Sequence, residues 1–225
     1  MPRKPENRGT CTFCGETLLR RGISKHLEKC ANYQQALSKR NQAAENIWRV
    51  RVQDAYDSDY WLELDMRGTA SLTQLDSYLR AIWLECCGHL SEFNIGGWGG
   101  MKVGKARKAD QVFHSGLVLN HIYDFGTSSE TTIRVMQEAR SAVPLSKHPI
   151  TLLARNLPLQ FNCQECGQPA AWMCMECQVE YDEPGLLCEK HVKKHPHEDY
   201  GEPIEIVNSP RMGMCGYSGP AEPPY

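Results

Sequence analysis

Residues 60–95 read YWLELDMRGTASLTQLDSYLRAIWLECCGHLSEFNI, and this stretch indicates the fold of the central part of the chain. Residues 60–66 alternate between two faces, which predicts a strand. Ser71 and Gln74 then form a capping-box pattern, which predicts the start of a helix. Residues 89–95 predict a returning strand. The apolar residues that recur at helical spacing in between are Leu72, Leu75, Leu79, Ile82 and Cys86.

Further strands are predicted on both sides of this stretch. Residues 116–124 and 131–136 flank a turn at 125–128, which is a β-hairpin signal with Gly126 for the unusual backbone dihedral. Residues 48–52 and 150–154 add two short strands. The central block therefore predicts an α+β fold, in which one long amphipathic helix lies on a small, mostly antiparallel sheet.

The first of two metal-ligand patterns lies near the N-terminus. Cys11 and Cys14 form a Cys-x2-Cys pair, and His26 and Cys30 follow on a predicted helix, one turn apart. Such a pair aims two thiolates at one tetrahedral centre, with bonds of about 2.3 Å to zinc. The spacing nearly matches a ββα zinc finger in which Cys30 replaces the final histidine.

The second pattern lies near the C-terminus and contains twice as many candidate ligands. They are Cys163, Cys166, Cys174, Cys177, Cys188, His191, His195 and His197. Together the two patterns supply twelve ligands, enough for three complete four-ligand sets, so we expect about three zinc ions. Because a closed set leaves no position for substrate, these ions are expected to be structural.

The C-terminal pattern resembles a B-box, in which two zinc ions are held by interleaved ligands. The resemblance implies that one zinc is bound by Cys163, Cys166, Cys188 and His191. The other zinc would then be bound by Cys174, Cys177, His195 and His197. Two spacings depart from the B-box, so a second pairing stays open, with the first four cysteines on one ion and Cys188 with the three histidines on the other. Asp199 is an alternative to His197.

Lys and Arg are concentrated at one end of the chain, and Asp and Glu at the other. Residues 1–52 hold eleven Lys or Arg against four Asp or Glu, a net charge of +7, whereas residues 161–225 hold four against eleven, a net charge of −7. A basic segment suits a phosphate backbone, and an acidic one argues against nucleic acid at that end. The residues expected to meet phosphates are Arg20, Arg21, Lys25 and Lys29.

The same patterns divide the chain into five parts. Residues 1–10 are expected to be disordered, 11–45 to form a zinc finger with a following helix, and 46–158 to form the α+β core. Residues 159–208 are expected to form the B-box-like module, and 209–225 an extended tail rich in Pro and Gly.

The expected cellular location of the protein is inferred from the absence of transport signals. Apolar stretches are too short to cross a bilayer, and the opening residues MPRKPENRGT contain no apolar signal core. Cys-x2-Cys pairs without an export signal predict reduced zinc ligands rather than disulfides. We therefore expect a cytoplasmic protein that does not bind membranes.

Three segments resemble a family of plasmid open-reading-frame proteins, also described as insertion-element passenger proteins. They are residues 60–95, the segment GLVLNHIYDFGTSSETTIRVM at 116–136, and VNSPRMGMCGYSGP at 207–220. The YDFG sequence is the most specific of these marks, and the resemblance covers nearly the whole chain. It implies a compact α+β core with zinc modules in a bacterial or archaeal protein linked to mobile DNA, but no particular reaction.

Other candidate sites in the central block are less complete. The segment Gly99-x4-Gly104-Lys105-Ala106 lacks the hydroxyl residue that a phosphate-binding P-loop needs after its lysine. Asp124 is expected to bond turn amides, with Tyr123 and Phe125 in the core. The residues that could serve a hydrolytic site are His89, His114, His121 and Asp124. Cys86 and Cys87 are expected to be small buried residues, and Cys215 a free thiol.

These features predict a non-enzymatic, zinc-stabilised recognition or adaptor protein. Its basic finger is expected to contact nucleic acid, and its acidic zinc module a protein partner. Two other functions stay open at this point. One is a hydrolase or nuclease with a site in the central domain, and the other is a DNA-binding regulator. A regulator would need a dimer or further contacts, since one finger reads only about three base pairs.

Overall fold

A computed structural model describes residues 7–38, 43–196 and 199–225 of the chain. The strands in these ranges are β1 (Arg8–Cys11), β2 (Thr17–Leu19), β3 (Glu45–Asp54), β4 (Trp61–Arg67), β5 (Ser91–Ile95), β6 (Met101–Val103), β7 (Val118–Tyr123), β8 (Ser129–Val135), β9 (Arg140–Ala142), β10 (Ile150–Asn156), β11 (Trp172–Met173), β12 (Leu186–Leu187) and β13 (Ile204–Glu205). The helices are α1 (Arg20–Lys29), α2 (Ala31–Ser38), α3 (Leu72–Leu79), α4 (Ala109–Val112), α5 (Met175–Glu180) and α6 (Glu189–Val192). Within the described ranges, no helix has the length and apolar character needed to cross a membrane.

Ten strands form one large sheet. Nine run in the order β2–β1–β10–β4–β3–β8–β7–β5–β6, and β9 pairs with β3 beside them. Each of these pairings is antiparallel. The prediction of helices combined with an antiparallel sheet is confirmed, but the sheet is not small. It is larger because the strands of the N-terminal finger belong to it.

The helix after β4 begins where the sequence predicts. Ser71 Oγ accepts a hydrogen bond from the Gln74 backbone N–H at 3.3 Å, and the Gln74 side chain accepts from the Ser71 N–H at 2.9 Å. Both halves of the capping box are therefore formed.

The prediction of one long helix reaching Cys86 is wrong. Helix α3 has only eight residues, and a π-helical turn over Arg80–Leu84 ends it. The Glu85 carboxylate explains the ending, because it accepts hydrogen bonds from the Gly88 N–H at 2.6 Å and from Tyr123 Oη at 3.1 Å. These bonds turn the chain away from the helix axis before Cys86.

The two faces of the central strands differ in chemistry. One face is apolar and packs against α3 in the main core; its buried residues include Trp48, Val50, Val52, Leu62, Leu64 and Met66. On the other face, Arg49 and Arg51 of β3 lie opposite Asp65 and Glu63 of β4. Their side chains pair at 3.3 Å and 2.8 Å, respectively. The large sheet therefore carries a row of charged pairs on one side.

The N-terminal finger covers this charged face. Ile23, Leu27 and Tyr33 of α1 and α2 pack with Trp61 and Leu153 in a second buried cluster. Gly9 permits the close approach, since a Cβ atom there would lie 2.3 Å from the Trp61 side chain. The finger also supplies hydrogen bonds to the charged row.

Two boundaries therefore differ from the predicted ones. Strand β1 begins at Arg8 and pairs with β10, so residues 8–10 are not disordered as expected for 1–10. The finger predicted over 11–45 is part of the main domain rather than a separate module. Residues 39–42, within the predicted finger helix, lie outside the described ranges.

The C-terminal residues form a small sheet followed by a docked segment. Strands β12, β11 and β13 make a three-stranded sheet within residues 159–208, where the B-box-like module is predicted. The prediction of an extended tail over 209–225 is wrong, because this segment packs on the core. Ser209 and Arg211 are completely buried, and the Ser209 hydroxyl donates to the Trp83 carbonyl at 2.6 Å.

The predicted hairpin joins β7 to β8, with Tyr123 paired to Ser129. As expected, the Asp124 side chain accepts a hydrogen bond from the Gly126 N–H at 2.9 Å, and Tyr123 is fully buried. Phe125 is 45% exposed, so its predicted place in the core is wrong. The buried Arg211 lies beneath the turn, over the Tyr123 ring.

Candidate metal centres

The finger brings its four predicted ligands together. Cys11 ends β1, Cys14 lies in the turn after it, His26 lies on α1, and Cys30 directly follows α1. Their ligand atoms all lie within 4.8 Å of one another, and Cys14 Sγ is 3.3 Å from His26 Nε2. The other ring nitrogen of His26 lies 3.3 Å from the Glu16 carboxylate. This carboxylate holds the ring so that Nε2 faces the three thiols.

The C-terminal module groups its ligands as an interleaved pair. Cys163, Cys166, Cys188 and His191 form one group within 4.8 Å. Cys166 Sγ and Cys188 Sγ are 3.8 Å apart, and His191 Nδ1 is 3.4 Å from Cys163 Sγ. This grouping matches the pairing implied by the B-box resemblance, and not the alternative in which the first four cysteines share one ion.

The second group of the module contains Cys174, Cys177 and His195. Cys177 Sγ lies 3.3 Å from His195 Nε2, and Cys174 Sγ accepts a hydrogen bond from the Cys177 N–H at 3.5 Å. His197, the predicted fourth ligand, lies outside the described residues. Asp199, the predicted alternative, is described but is not part of this group.

The chemistry of these groups fits a cation. Burial raises the pKa of the Cys11 thiol to about 11, so this thiol ionises readily only when a positive ion binds it. Burial also opposes ionisation of Cys163. Backbone N–H groups of Cys188 and Glu165 and the His191 ring outweigh this effect and lower the pKa of Cys163 to about 6. The ligand sets can therefore hold metal ions, with release of protons on binding.

The structure contains a further group that the sequence did not predict. Cys86, Cys87, His89 and Cys215 also place their ligand atoms within 4.8 Å of one another. The local signal was the short run from Cys86 to His89. No spacing rule connects this run with Cys215, which lies 128 residues after Cys87.

The residues considered for a hydrolytic site do not come together to form such a site. His121 is fully buried, and its Nε2 lies 2.7 Å from Asp76 rather than near Asp124. Burial lowers the pKa of His121, although the nearby Asp76 carboxylate acts in the opposite direction. Asp124 pairs with His89 at 3.3 Å and with Arg211 at 2.7 Å, and His114 lies exposed on a separate loop.

The segment that partly matches a P-loop has a structural role. Lys105 Nζ donates hydrogen bonds to Asp76 at 3.0 Å and to Ser91 Oγ at 2.6 Å. Since its ammonium group neutralises a core carboxylate, Lys105 is not directed at a phosphate. Gly99 lies in the turn before β6, whereas Gly104 and Ala106 lie in the loop after β6 that carries this lysine, so the segment does not form one phosphate-binding loop.

The four basic residues predicted to meet phosphates divide into two kinds. Arg21, Lys25 and Lys29 are exposed and recur every fourth residue along α1, so they share one side of the helix. Arg20 differs, because its guanidinium donates a hydrogen bond to the Ser58 carbonyl at 3.0 Å. Arg20 thus ties the finger to the loop before β4.

No family model matches the chain, and no curated protein matches it. A search of solved structures finds a protein of unknown function from Methanosarcina mazei Go1 with 16% sequence identity and a TM-score of 0.39. That match covers 48% of this chain and 68% of the other.

Proposed function

We propose that this chain is a zinc-stabilised recognition protein whose C-terminal module binds a basic segment of a protein partner. Zinc is the metal that best suits sets of cysteine and histidine at tetrahedral spacing. Association with mobile DNA is part of the proposal and rests on the resemblance of residues 60–95, 116–136 and 207–220 to the plasmid and insertion-element family. The burial of His121 favours recognition over hydrolysis, since a buried ring cannot meet a substrate.

The observation that carries the proposal is an exposed acidic and apolar surface around α5. We call it the α5 surface; its residues are Val179, Glu180, Tyr181, Asp182, Glu183 and Tyr200. Val179, Tyr181 and Tyr200 are 57%, 55% and 47% exposed, and the Tyr200 hydroxyl bonds the Glu180 carboxylate. Exposed apolar groups among charges of one sign are typical of a protein-binding surface. The negative charges favour a partner segment rich in Lys or Arg.

The α5 surface continues into a groove. Val179 and Tyr200 line it together with Met175 of α5 and Met212 and Met214 of the docked C-terminal segment. Methionine side chains adapt their shape to different apolar groups, because they are unbranched and flexible. The groove therefore suits apolar side chains spaced between the basic residues of a peptide.

The test measures binding of the full-length protein to synthetic peptides that combine Lys or Arg with Leu or Phe, beside a charge-inverted set with Asp or Glu. We expect the basic peptides alone to bind, with affinity that falls as salt rises. A triple charge reversal of the α5 surface should weaken binding at least about tenfold. The substitutions are Glu180→Lys, Asp182→Lys and Glu183→Lys.

A matched control changes the same amount of charge elsewhere in the module. Its substitutions, all at exposed positions, are Glu165→Lys, Glu189→Lys and Glu205→Lys. This variant should keep most of the affinity if the α5 surface is the binding site. Equal binding of acidic and basic peptides, or equal weakening by the two triple variants, would contradict the proposal.

A second candidate function is contact with nucleic acid through α1. The supporting observation is the exposed row of Arg21, Lys25 and Lys29, on a helix whose buried residues Ile23 and Leu27 face the sheet. Lysine and arginine in such a row can neutralise successive phosphates. Three charges give weak binding without base specificity.

This candidate predicts a strong dependence on salt. Changing Arg21, Lys25 and Lys29 to Ala should weaken binding of mixed-sequence DNA and RNA duplexes and reduce the slope of log affinity against log salt by up to about 3. The control variant removes three exposed lysines of the acidic module, Lys190, Lys193 and Lys194. Unchanged slopes in the α1 variant, or the same loss in both variants, would exclude α1 as the contact.

A further inference from the structure

The cluster of Cys86, Cys87, His89 and Cys215 has the geometry of a metal site. Cys87 Sγ lies 3.6 Å from both Cys86 Sγ and Cys215 Sγ. His89 Nε2 lies 3.0 Å from Cys87 Sγ and 3.7 Å from Cys215 Sγ. Sulfur ligands at about 2.3 Å from a tetrahedral ion lie roughly 3.8 Å apart. The spacings resemble the 3.8 Å between Cys166 and Cys188 in the module.

The full count of cysteines supports this interpretation. The chain has eleven cysteines, and every one of them belongs to one of the four groups. Cys215, which its sequence spacing predicts to be a free thiol, forms no disulfide and lies within reach of three other potential ligands. Cys86 and Cys87 are not core residues, since Cys86 is half-buried and Cys87 exposed.

The backbone on both sides of the cluster adopts conformations that direct the ligands inward. Gly88 has φ of +81°, which lets the chain reverse between Cys87 and His89. Cys215 has φ of +52°, in the left-handed region that residues with a Cβ atom rarely adopt. Such a conformation costs about 1–3 kcal/mol and is typical of functional positions. Here it places the Cys215 sulfur beside Cys87 and His89.

Charged groups around the cluster suit several thiolates. Arg211 Nη2 donates a hydrogen bond to Cys86 Sγ at 3.3 Å and another to Asp124 at 2.7 Å. The Asp124 carboxylate lies 3.3 Å from His89 Nε2. The guanidinium thus offsets part of the negative charge that the ligands carry. The carboxylate lies beside the ring nitrogen that faces the thiols, so it adds negative charge next to the position of the ion.

The cluster differs from the other three groups in its exposure. Each of the others contains at least two buried ligands, whereas here Cys86 and His89 are half-buried and Cys87 and Cys215 are exposed. An ion held there would meet water and competing ligands directly. It would also join two distant parts of the chain, because Cys215 belongs to the docked C-terminal segment, and the other ligands lie in the loop that leads to β5 of the main domain.

We propose that Cys86, Cys87, His89 and Cys215 bind a fourth thiophilic divalent cation of the zinc class. The ion fastens the C-terminal segment to the core and exchanges faster than the ions of the other groups. Because Cys215 and Met214 both line the groove beside α5, occupancy of the site controls the shape of one wall of that groove.

The test compares metal content in the full-length protein and in Cys215→Ser, both prepared with zinc and a reductant. We expect the variant to hold one ion fewer per chain by native mass spectrometry, with an unchanged fold by circular dichroism. Ser218→Ala, an exposed neighbour in the same segment, is the matched control and should keep the parent's metal content. If Cys215→Ser does not fold, Cys87→Ser supplies the same comparison from the core side.

Exchange with cobalt separates this site from the others. A limiting amount of chelator should remove one zinc ion first from the parent protein. Refilling with Co²⁺ should then give thiolate-to-cobalt absorption rapidly, whereas Cys215→Ser treated in the same way should exchange only slowly, because its remaining ions lie in groups with more buried ligands. The test compares the metal content of the parent with that of Cys215→Ser, and the expected difference is one ion. The test is therefore valid even if another group holds no zinc. Equal metal content in the parent and both variants, or a Cys87–Cys215 disulfide under reductant, would overturn the proposal.

Discussion

Replacing Cys30 by Ser is expected to destabilise the whole ten-stranded domain rather than the finger alone. The finger supplies one wall of the second buried cluster and covers the charged row on β3 and β4. If the finger binds an ion as proposed, losing that ion would remove the anchor of α1 and α2, and Tyr33 would no longer donate its hydrogen bond to Asp65 at 3.0 Å. We expect a loss of at least about 4 kcal/mol, because buried charges that lose partners are costly.

Unfolding in urea, followed by tryptophan fluorescence, measures this loss. Trp48, Trp61 and Trp83 are buried in the main domain and report its transition. Cys177→Ser is the control, since it removes a ligand from the C-terminal module, which has its own small sheet. It should shift the main transition by less than about 1 kcal/mol. A Cys30→Ser protein with an unchanged main transition would mean that the finger is an independent module.

The integration of the finger could not be predicted from sequence periodicity. Alternation along β3 correctly separated Trp48, Val50 and Val52 from Arg49 and Arg51. Periodicity identifies a polar face, but it does not say whether solvent or another element covers that face. The charged residues on the polar face carried the information about how β3 and β4 pair. Arg49 and Arg51 could have been matched with Glu63 and Asp65, because two strands with opposite charges on one face can pair across it.

The metal ligands were predictable only where they lie close in sequence. A Cys-x2-Cys pair is a local structure, so Cys11 with Cys14 and Cys163 with Cys166 are apparent without any knowledge of the fold. The fourth group depends on the docking of the C-terminal segment. Cys215 reaches Cys87 only because the chain between them forms most of the main sheet.

The docking of the C-terminal segment on the core was also not predictable, because local composition does not show which residues pack. Pro and Gly are abundant over residues 209–225, and this composition is typical of irregular chain. Irregular chain can still pack when one side chain enters the core. Arg211 does so, and its only signal in the sequence was that no other Lys or Arg occurs in residues 199–225.

Replacing Arg211 by Met is expected to release the C-terminal segment and to destabilise the core. The Arg211 guanidinium is completely buried. It donates hydrogen bonds to the Asp124 carboxylate at 2.7 Å, to the Thr127 carbonyl at 2.9 Å and to Ser129 Oγ at 2.9 Å. Removing one partner of a buried ion pair costs about 3–5 kcal/mol, because the remaining charge is left in the interior. For a protein of this size, that loss lowers Tm by about 6–20 °C.

The double variant Arg211→Met with Asp124→Asn distinguishes the cost of the unpaired charge from the loss of packing. The introduced asparagine side chain would keep an oxygen to accept from the Gly126 N–H, and asparagine tolerates the positive φ of +65° at this position. Because the buried carboxylate charge is gone, the double variant should be more stable than Arg211→Met alone by at least about 1 kcal/mol. Thermal unfolding of the parent, the two single variants and the double variant measures the coupling energy between Arg211 and Asp124. If the double variant is as unstable as Arg211→Met or less stable, lost packing of the C-terminal segment is the main cost, and the unpaired charge is not.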